Sequence, residues 1–284
     1  MTGAGQRVAY LGPAGTNTDE ALRASATEPF EAVPRVTVHD AIMAVQDGAA
    51  DRAVVPIENS LEGGVAATLD ALAGDATDVR IVRETVHPIH HHLIAARPLS
   101  LGTLERVLSH PQAVGQCSRF LREQLPAVEL APASSTAEAV RSLADTDRPW
   151  AAIGSRLSAE LYEATILTER IEDRPDNETR FVWLARAEDA ATPAEGPAKT
   201  SIVFWGFDDA SPGALVSVLR ELSDRQINLT KIESRPRRVR LGHYMFFADL
   251  DLSSAEPRVE EALAALEARV ETLRVLGSYS VARA

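Results

Sequence analysis

The sequence predicts an α/β chain built as two units. Three observations carry this: short apolar runs alternating with amphipathic helical stretches in the first part, a β-α-β-β-α-β order in the last part, and a composition break between them. In the first part, strands are expected at 8–11, 53–57, 106–109, 150–154 and 180–185, each a brief Val/Ile/Leu/Ala-rich run between turn residues. Helices are expected at 19–26, 38–47, 111–124, 136–144 and 155–161, where apolar residues recur at helical spacing. Such alternation implies a mostly parallel sheet. The break is RAEDAATPAEGPAK, 186–199, which reads as an interdomain linker between a unit at 1–185 and one at 200–284. Beyond it come strand 200–207, helix 212–225, strands 228–235 and 243–252, helix 256–269 and strand 272–280. That order is ferredoxin-like, an antiparallel sheet with two helices on one face, and it leaves an apolar face or an edge free for pairing.

Composition narrows the function classes. The chain has 284 residues, long enough for about two domains, and is 45% hydrophobic and 25% charged, as globular proteins are. Its 29 Lys and Arg against 41 Asp and Glu give a net charge of -12, which repels nucleic acid and anionic lipid. Cys117 is the sole cysteine, so neither an intrachain disulfide nor a thiolate metal cluster can form, and a reducing cytoplasm is expected. No apolar run reaches membrane-spanning length, and residues 1–7 lack a signal-like apolar stretch.

Chemistry in an open α/β sheet sits beyond the carboxyl ends of strands, where loops lead into helix N-termini. Four segments have this form: YLGPAGTNTDEAL from Tyr10, VVPIENSLEGGV from Val54, VLSHPQAVGQC from Val107 and SSTAEAV from Ser134. Each offers hydroxyl, amide or glycine donors without fixed negative charge, which suits a small anion; taken singly, each is equally an N-cap worth about 1 kcal/mol. Gly12 and Gly15 allow a tight turn but complete no nucleotide-binding fingerprint. Glu58 would repel an anion, so it is expected to turn away and bond backbone N–H groups. A fifth segment, NETRFVWLAR, enters a strand with Thr179 and Phe181 on one face and Arg180 on the other. The triplet serves one site only if the strand end bends; otherwise it is an ordinary strand start with a surface arginine.

Three further features read as structural. His87, His90, His91 and His92 have no metal-ligand spacing and are expected to hydrogen-bond. Arg235, Arg237, Arg238 and Arg240 fall where two strands turn, a solvated hairpin. Cys117 lies on an apolar helix face as a small buried hydrophobe.

Taken together and in order, YLGPAGT, VVPIENS, SHPQAVGQC, STAEA, NETRF, GAL and ESRP resemble the motifs of prephenate dehydratases with a C-terminal ACT domain. The resemblance implies a two-lobed catalytic domain at 8–185 similar to type II periplasmic binding proteins, with substrate in the cleft. It implies a carbon–oxygen lyase converting prephenate to phenylpyruvate, water and carbon dioxide, with no metal or organic cofactor. Thr179 would be the catalytic residue, assisting departure of the hydroxyl. Thr16, Asn59, Ser60, His110, Gln112, Ser135, Thr136, Arg180 and Phe181 would line or support the site, Arg180 and helix N-termini holding the substrate carboxylates. The ACT domain would bind phenylalanine as an inhibitor between Gly213, Ala214 and Leu215 at a helix start and Glu233, Ser234, Arg235 and Pro236 at a strand end. Asn228 and Leu229 would lie nearby, the pocket closing in a homodimer or homotetramer. Asn17 departs from the family's aromatic residue after GT, which leaves the local pocket shape open, and Gly64 carries no assigned role. Arogenate as substrate, or a non-catalytic amino-acid sensor, are the alternatives; a nucleic-acid-binding regulator would need a helix-turn-helix or basic face that the sequence lacks.

Overall fold

The computed structural model describes residues 5–191, 196–207 and 211–282. The first lobe contains β1 (Gln6–Leu11), α1 (Asn17–Ser25), β2 (Phe30–Arg35), α2 (Val38–Gln46), β3 (Arg52–Asn59), β4 (Gly63–Gly64), α3 (Ala66–Ala73) and β5 (Val79–Pro88). The chain then crosses to a second lobe of β6 (His92–Ala95), β7 (Arg106–Ser109), α4 (Pro111–Gln116), α5 (Ser118–Gln124), β8 (Glu129–Pro132), α6 (Thr136–Arg141), β9 (Trp150–Gly154), α7 (Arg156–Leu161) and β10 (Thr165–Thr168). It returns to the first lobe in β11 (Glu178–Arg186). One passage out and one back make two lobes with a cleft between them.

Helices cover both faces of the first lobe's sheet. On one face α1 buries Ala21 and Leu22 against Val8, Tyr10, Val54, Phe181 and Trp183; on the other α2 and α3 bury Ile42, Val45, Leu69 and Leu72 against Ala9, Ala53 and Val55. Burial on both faces explains the continuous apolar runs of β1 and β3. The sheets are mixed, not mostly parallel as the alternation suggested. β11 runs antiparallel to both β3 and β5, and in the second lobe β6 is antiparallel to β9 and β10. The strands that cross between lobes reverse direction, which helix–strand alternation alone does not reveal. The helix expected at 111–124 divides at Cys117, because Asp173 accepts from the Ser118 hydroxyl and Arg119 N–H and so caps α5 as a separate start.

The second unit comprises β12 (Ala198–Trp205), α8 (Ala214–Ser223), β13 (Leu229–Pro236), β14 (Tyr244–Leu250), α9 (Pro257–Glu267) and β15 (Thr272–Ser280), in sheet order β13-β14-β12-β15. Helices α8 and α9 bury Val218, Leu222, Val259 and Leu266 on one face. The opposite face is not open: Val203, Met245, Phe247, Leu276 and Tyr279 join the core under α2 and α3. β15 lies parallel to β5, so the two units share one ten-stranded sheet. Gly277 permits this, since a Cβ there would strike the Ile81 backbone. What remains of the expected free surface in this unit is the edge strand β13. In the stretch expected as a linker, β11 continues to Arg186 and β12 begins at Ala198, while residues 192–195 lie outside the described residues. No helix among the described residues is long and apolar enough to cross a membrane.

Candidate active site

The cleft holds a cavity of about 350 Å³. From the first lobe come Thr16, Asn17, Pro56 and Asn59; from the second, His110, Gln112, Gln116, Ser135 and Thr136; from the crossing segments, Ile89, His91, Asn177, Thr179 and Phe181. Eight of the ten residues expected to line or support the site thus meet here. No Asp, Glu, Lys or Arg side chain is in the lining.

Local hydrogen bonding builds these walls. Thr16 Oγ1 donates to the Leu11 carbonyl and accepts from Asp19 N–H, so it caps α1 while facing the cavity. His110 Nδ1 and Ser135 Oγ cap α4 and α6 by accepting from Gln112 N–H and Glu138 N–H. Capping and cleft lining are therefore the same residues, not rival readings. Gly15, at φ +85, brings its loop against Ser158 of α7, and Ser155 Oγ donates to the Gly15 carbonyl at 2.9 Å. The Tyr162 hydroxyl donates to the Ala14 carbonyl, latching the lobes on that side.

The polar centre is a directional chain. Asn59 Oδ1 accepts from Leu61 N–H and Glu62 N–H, both at 3.0 Å, and backbone N–H groups can only donate. That fixes the amide: Nδ2 donates to Thr179 Oγ1 at 2.9 Å and Asn177 Oδ1 at 2.8 Å. Thr179 Oγ1 is consequently an acceptor toward Asn59, leaving its hydroxyl hydrogen for a group in the cavity. Asn177 Nδ2 donates to Gln116 Oε1, which also accepts from His91 Nε2 at 2.9 Å. Burial pushes the His91 imidazole below its ordinary range, so it is neutral with Nε2 protonated.

Gln116 and Asn177 were not singled out from sequence, and His91 was read only as one of a hydrogen-bonding histidine run. Gln116 and Asn177 stand inside the quoted motifs, and amides at helix and strand ends were the available signal. His91 makes the hydrogen bond expected of the histidine run, but in the cleft. His90 bonds Glu172 and His87 bonds Glu20, and among the described residues no three His, Cys, Asp or Glu side chains are placed to share a metal ion. Cys117 is buried, and burial raises its thiol far above the usual range. Asn17 opens α1 and lines the cavity.

Several expectations need correction. Arg180 is outside the cavity: the strand alternation holds, and its guanidinium bonds Glu58, Glu84 and Asp249 on the opposite face. It is buried and held charged by those carboxylates, hence cannot grip substrate. Ser60 also lies outside, its Oγ accepting from Glu178 N–H to fasten the loop to β11. Glu58 does turn away, but toward Arg180 and Lys231, not backbone N–H groups; burial works to raise its carboxyl, and those two cations outweigh it and hold it below its ordinary range. The arginine run is not merely solvated. Arg235 and Arg238 bond Asp70 of α3, and Arg237 stacks over Trp205. Gly64, given no role, abuts the Glu233 carboxylate, where a Cβ would collide.

In the second unit a smaller cavity of about 300 Å³ contains Gly213, Ala214 and Leu215 with Phe207, Tyr244 and Phe246. The other expected effector residues do not line it in this chain. Glu233 and Arg235 face the first lobe, while Ser234 and Pro236 pair with Phe246 and Tyr244 of β14. Asn228 and Leu229 stand at the far end of β13.

The chain is similar to known proteins along most of its length. A family model described as prephenate dehydratase matches residues 8–189, and an ACT domain model matches 208–268. A prephenate dehydratase of Mycobacterium sp. (strain JLS) is 40% identical over 96% of this chain and 88% of its own length. Arogenate dehydratase 1 of Petunia hybrida is also 40% identical, over 98% of this chain and 68% of its length. The crystal structure of a prephenate dehydratase from Arthrobacter aurescens in complex with L-Phe superimposes with a TM-score of 0.86 at 39% identity, covering 96% of this chain and 90% of that one.

Proposed function

We propose that the cleft of this chain, which belongs to the prephenate dehydratase family and carries an ACT domain, performs the decarboxylating dehydration of prephenate with Thr179 as its hydrogen-bond donor. The observation that carries this is the Asn59-to-Thr179 bond, which commits the threonine oxygen as acceptor and releases its hydrogen toward the cavity. Prephenate carries a ring carboxylate and, across the ring, a hydroxyl. The C–O bond breaks with its electron pair leaving on oxygen, the carboxylate departs as carbon dioxide, and the electron pair of its bond enters the ring. A proton converts the leaving oxygen to water, and the aromatic ring formed supplies the driving force.

Thr179 stabilises charge developing on the departing oxygen, and a donor chain ending on it strengthens that bond. Thr16, Asn59, His110, Gln112, Ser135, Thr136 and Phe181 form the surrounding walls. A lining without cations favours the reaction, since a cation on the ring carboxylate would stabilise the ground state more than a transition state losing that charge. Thr179→Val should lower kcat by about 10² to 10⁴-fold, measured as phenylpyruvate formation. Turnover within a few-fold of wild type would refute the assignment. Prephenate and arogenate assayed side by side decide substrate preference, because relatives of both names share the same identity with this chain.

For regulation, phenylalanine is the effector of this reading, supported by the L-Phe complex of the Arthrobacter relative and the cavity at Gly213. A second copy would supply Asn228 and Leu229, making a homodimer or homotetramer the working form. Sedimentation with and without phenylalanine tests this, and a monomer under both conditions would exclude it. A cytoplasmic setting belongs to the same reading and is supported by the lone, buried Cys117.

A further inference from the structure

Directly behind the Thr179–Asn59 pair lies an ion cluster built from both units of the chain. In the ladder between β3 and β11, Thr179 is opposite Asn59 and Arg180 is opposite Glu58. The pair facing the cleft is therefore backed, one residue along each strand, by a guanidinium–carboxylate pair facing the other way. Arg180 donates through Nε and Nη2 to Glu58 Oε2 at 3.1 and 2.9 Å, through Nη1 to Glu84 Oε2 at 3.2 Å, and through Nη2 to Asp249 Oδ2 at 2.8 Å.

Most of what surrounds this arginine belongs to the second unit. Lys199 Nζ bonds Glu84, Lys231 Nζ bonds Glu58 and Glu233, and the Ser201 hydroxyl donates to Asp249 Oδ1 at 2.6 Å. Side-chain exposure is 10% for Arg180, 2% for Glu84 and 6% for Asp249, so solvent screens those two pairs little, while Glu58 at 37% is partly open to water. A planar fork clamped by three carboxylates has a single orientation, and it fixes the backbone that carries it.

We infer that Arg180 and Asp249 are positioning residues for the dehydration. By locking the register of β3 and β11, they hold the Thr179 hydroxyl where Asn59 can bond it, so the second unit supports the catalytic geometry directly. Lys231 on β13 reaches the same cluster through Glu58, which gives the regulatory unit a short covalent and ionic route to the cleft. The inference rests on Thr179 being the catalytic donor, and the experiment separates the two.

Asp249→Asn, Thr179→Val and the double variant are assayed for kcat and KM in the full chain. Asp249→Asn is expected to lower kcat about 10- to 100-fold with KM within about two-fold, since only orientation is lost. In the Thr179→Val background it should have no further effect, because its route runs through that hydroxyl. Equal fold-losses in both backgrounds, or no loss in either, would overturn the positioning role while leaving Thr179 catalytic. An active Thr179→Val would instead overturn the parent reading and this one with it. Arg180→Lys keeps the charge without the fork and should recover only part of kcat, whereas full activity would contradict the inference. If Asp249→Asn does not fold, Ser201→Ala removes one bond to Asp249, and the same comparison across the two backgrounds applies.

Discussion

Replacing Asn59 by aspartate inverts one hydrogen bond without changing side-chain size, and the cost can be worked from the geometry. The carboxylate keeps the acceptor role toward Leu61 N–H and Glu62 N–H but loses both hydrogens that Nδ2 shares among Asn177, Glu178 and Thr179. An anionic oxygen then sits about where Nδ2 stood, 2.9 Å from Thr179 Oγ1 in the native pair, and the hydroxyl rotates to donate to it. A charge-assisted bond of this kind is worth about 1.5–3 kcal/mol. Breaking it before donating to substrate adds that amount to the barrier, a loss of about 10- to 150-fold in kcat. Asn59→Ala leaves the hydroxyl unoriented but free, so it should lose less. The assay is phenylpyruvate formation at neutral pH, with thermal melts confirming folding of both variants. Asn59→Asp turning over as fast as Asn59→Ala would refute the direction assigned to this bond.

Other outcomes follow from particular contacts. Gly277→Ala forces β15 away from the Ile81 backbone and should cost about 1–3 kcal/mol, seen as a lowered melting temperature; an unchanged melt would show that the two strands are not pressed together. Burial holds His91 and His92 below the ordinary histidine value, so the unfolded chain binds more protons than the fold once pH falls beneath about 6.5. Their contribution is therefore complete above that value and lost as pH falls below it, and denaturant midpoints at pH 7.5 and 5.5 should differ in that sense. Equal midpoints would contradict it. Lys231→Met removes the cation between Glu58 and Glu233 and should blunt inhibition by phenylalanine while leaving phenylalanine binding intact; unaltered inhibition would argue against this route.

The site was legible where chemistry and local structure coincide. Thr16, His110 and Ser135 are the last residues before helices, and the sequence marks them because capping requires acceptors there. The strands and helices described in the second unit were likewise readable, since β12, β14 and β15 are short apolar runs buried on both faces and β13 alternates. β5 was missed because Arg80, Arg83 and Glu84 interrupt its apolar pattern; their partners, Trp183, Arg180 and Lys199 among them, come from remote segments. Arg180 was misplaced for a related reason. It is the neighbour of Thr179 in sequence, yet the strand pleat sends its side chain to a surface that exists only once the second unit has docked. Contacts of that kind have no local signature, and the Asp70–Arg235 pair is another instance.

The shared sheet also bears on how such an enzyme could escape control. A regulatory module tied on by a flexible tether can be lost by proteolysis or mutation, leaving an active and deregulated catalyst. Here, removal of β12 to β15 would strip the neighbour from β5, uncover the apolar underside of α3, and leave Arg180 without Asp249. The remaining lobes would present an open edge prone to aggregation, with an unsupported active site. On the regulatory reading proposed above, control is inseparable from catalysis by construction, because the unit that would bind phenylalanine is also structural material for the cleft.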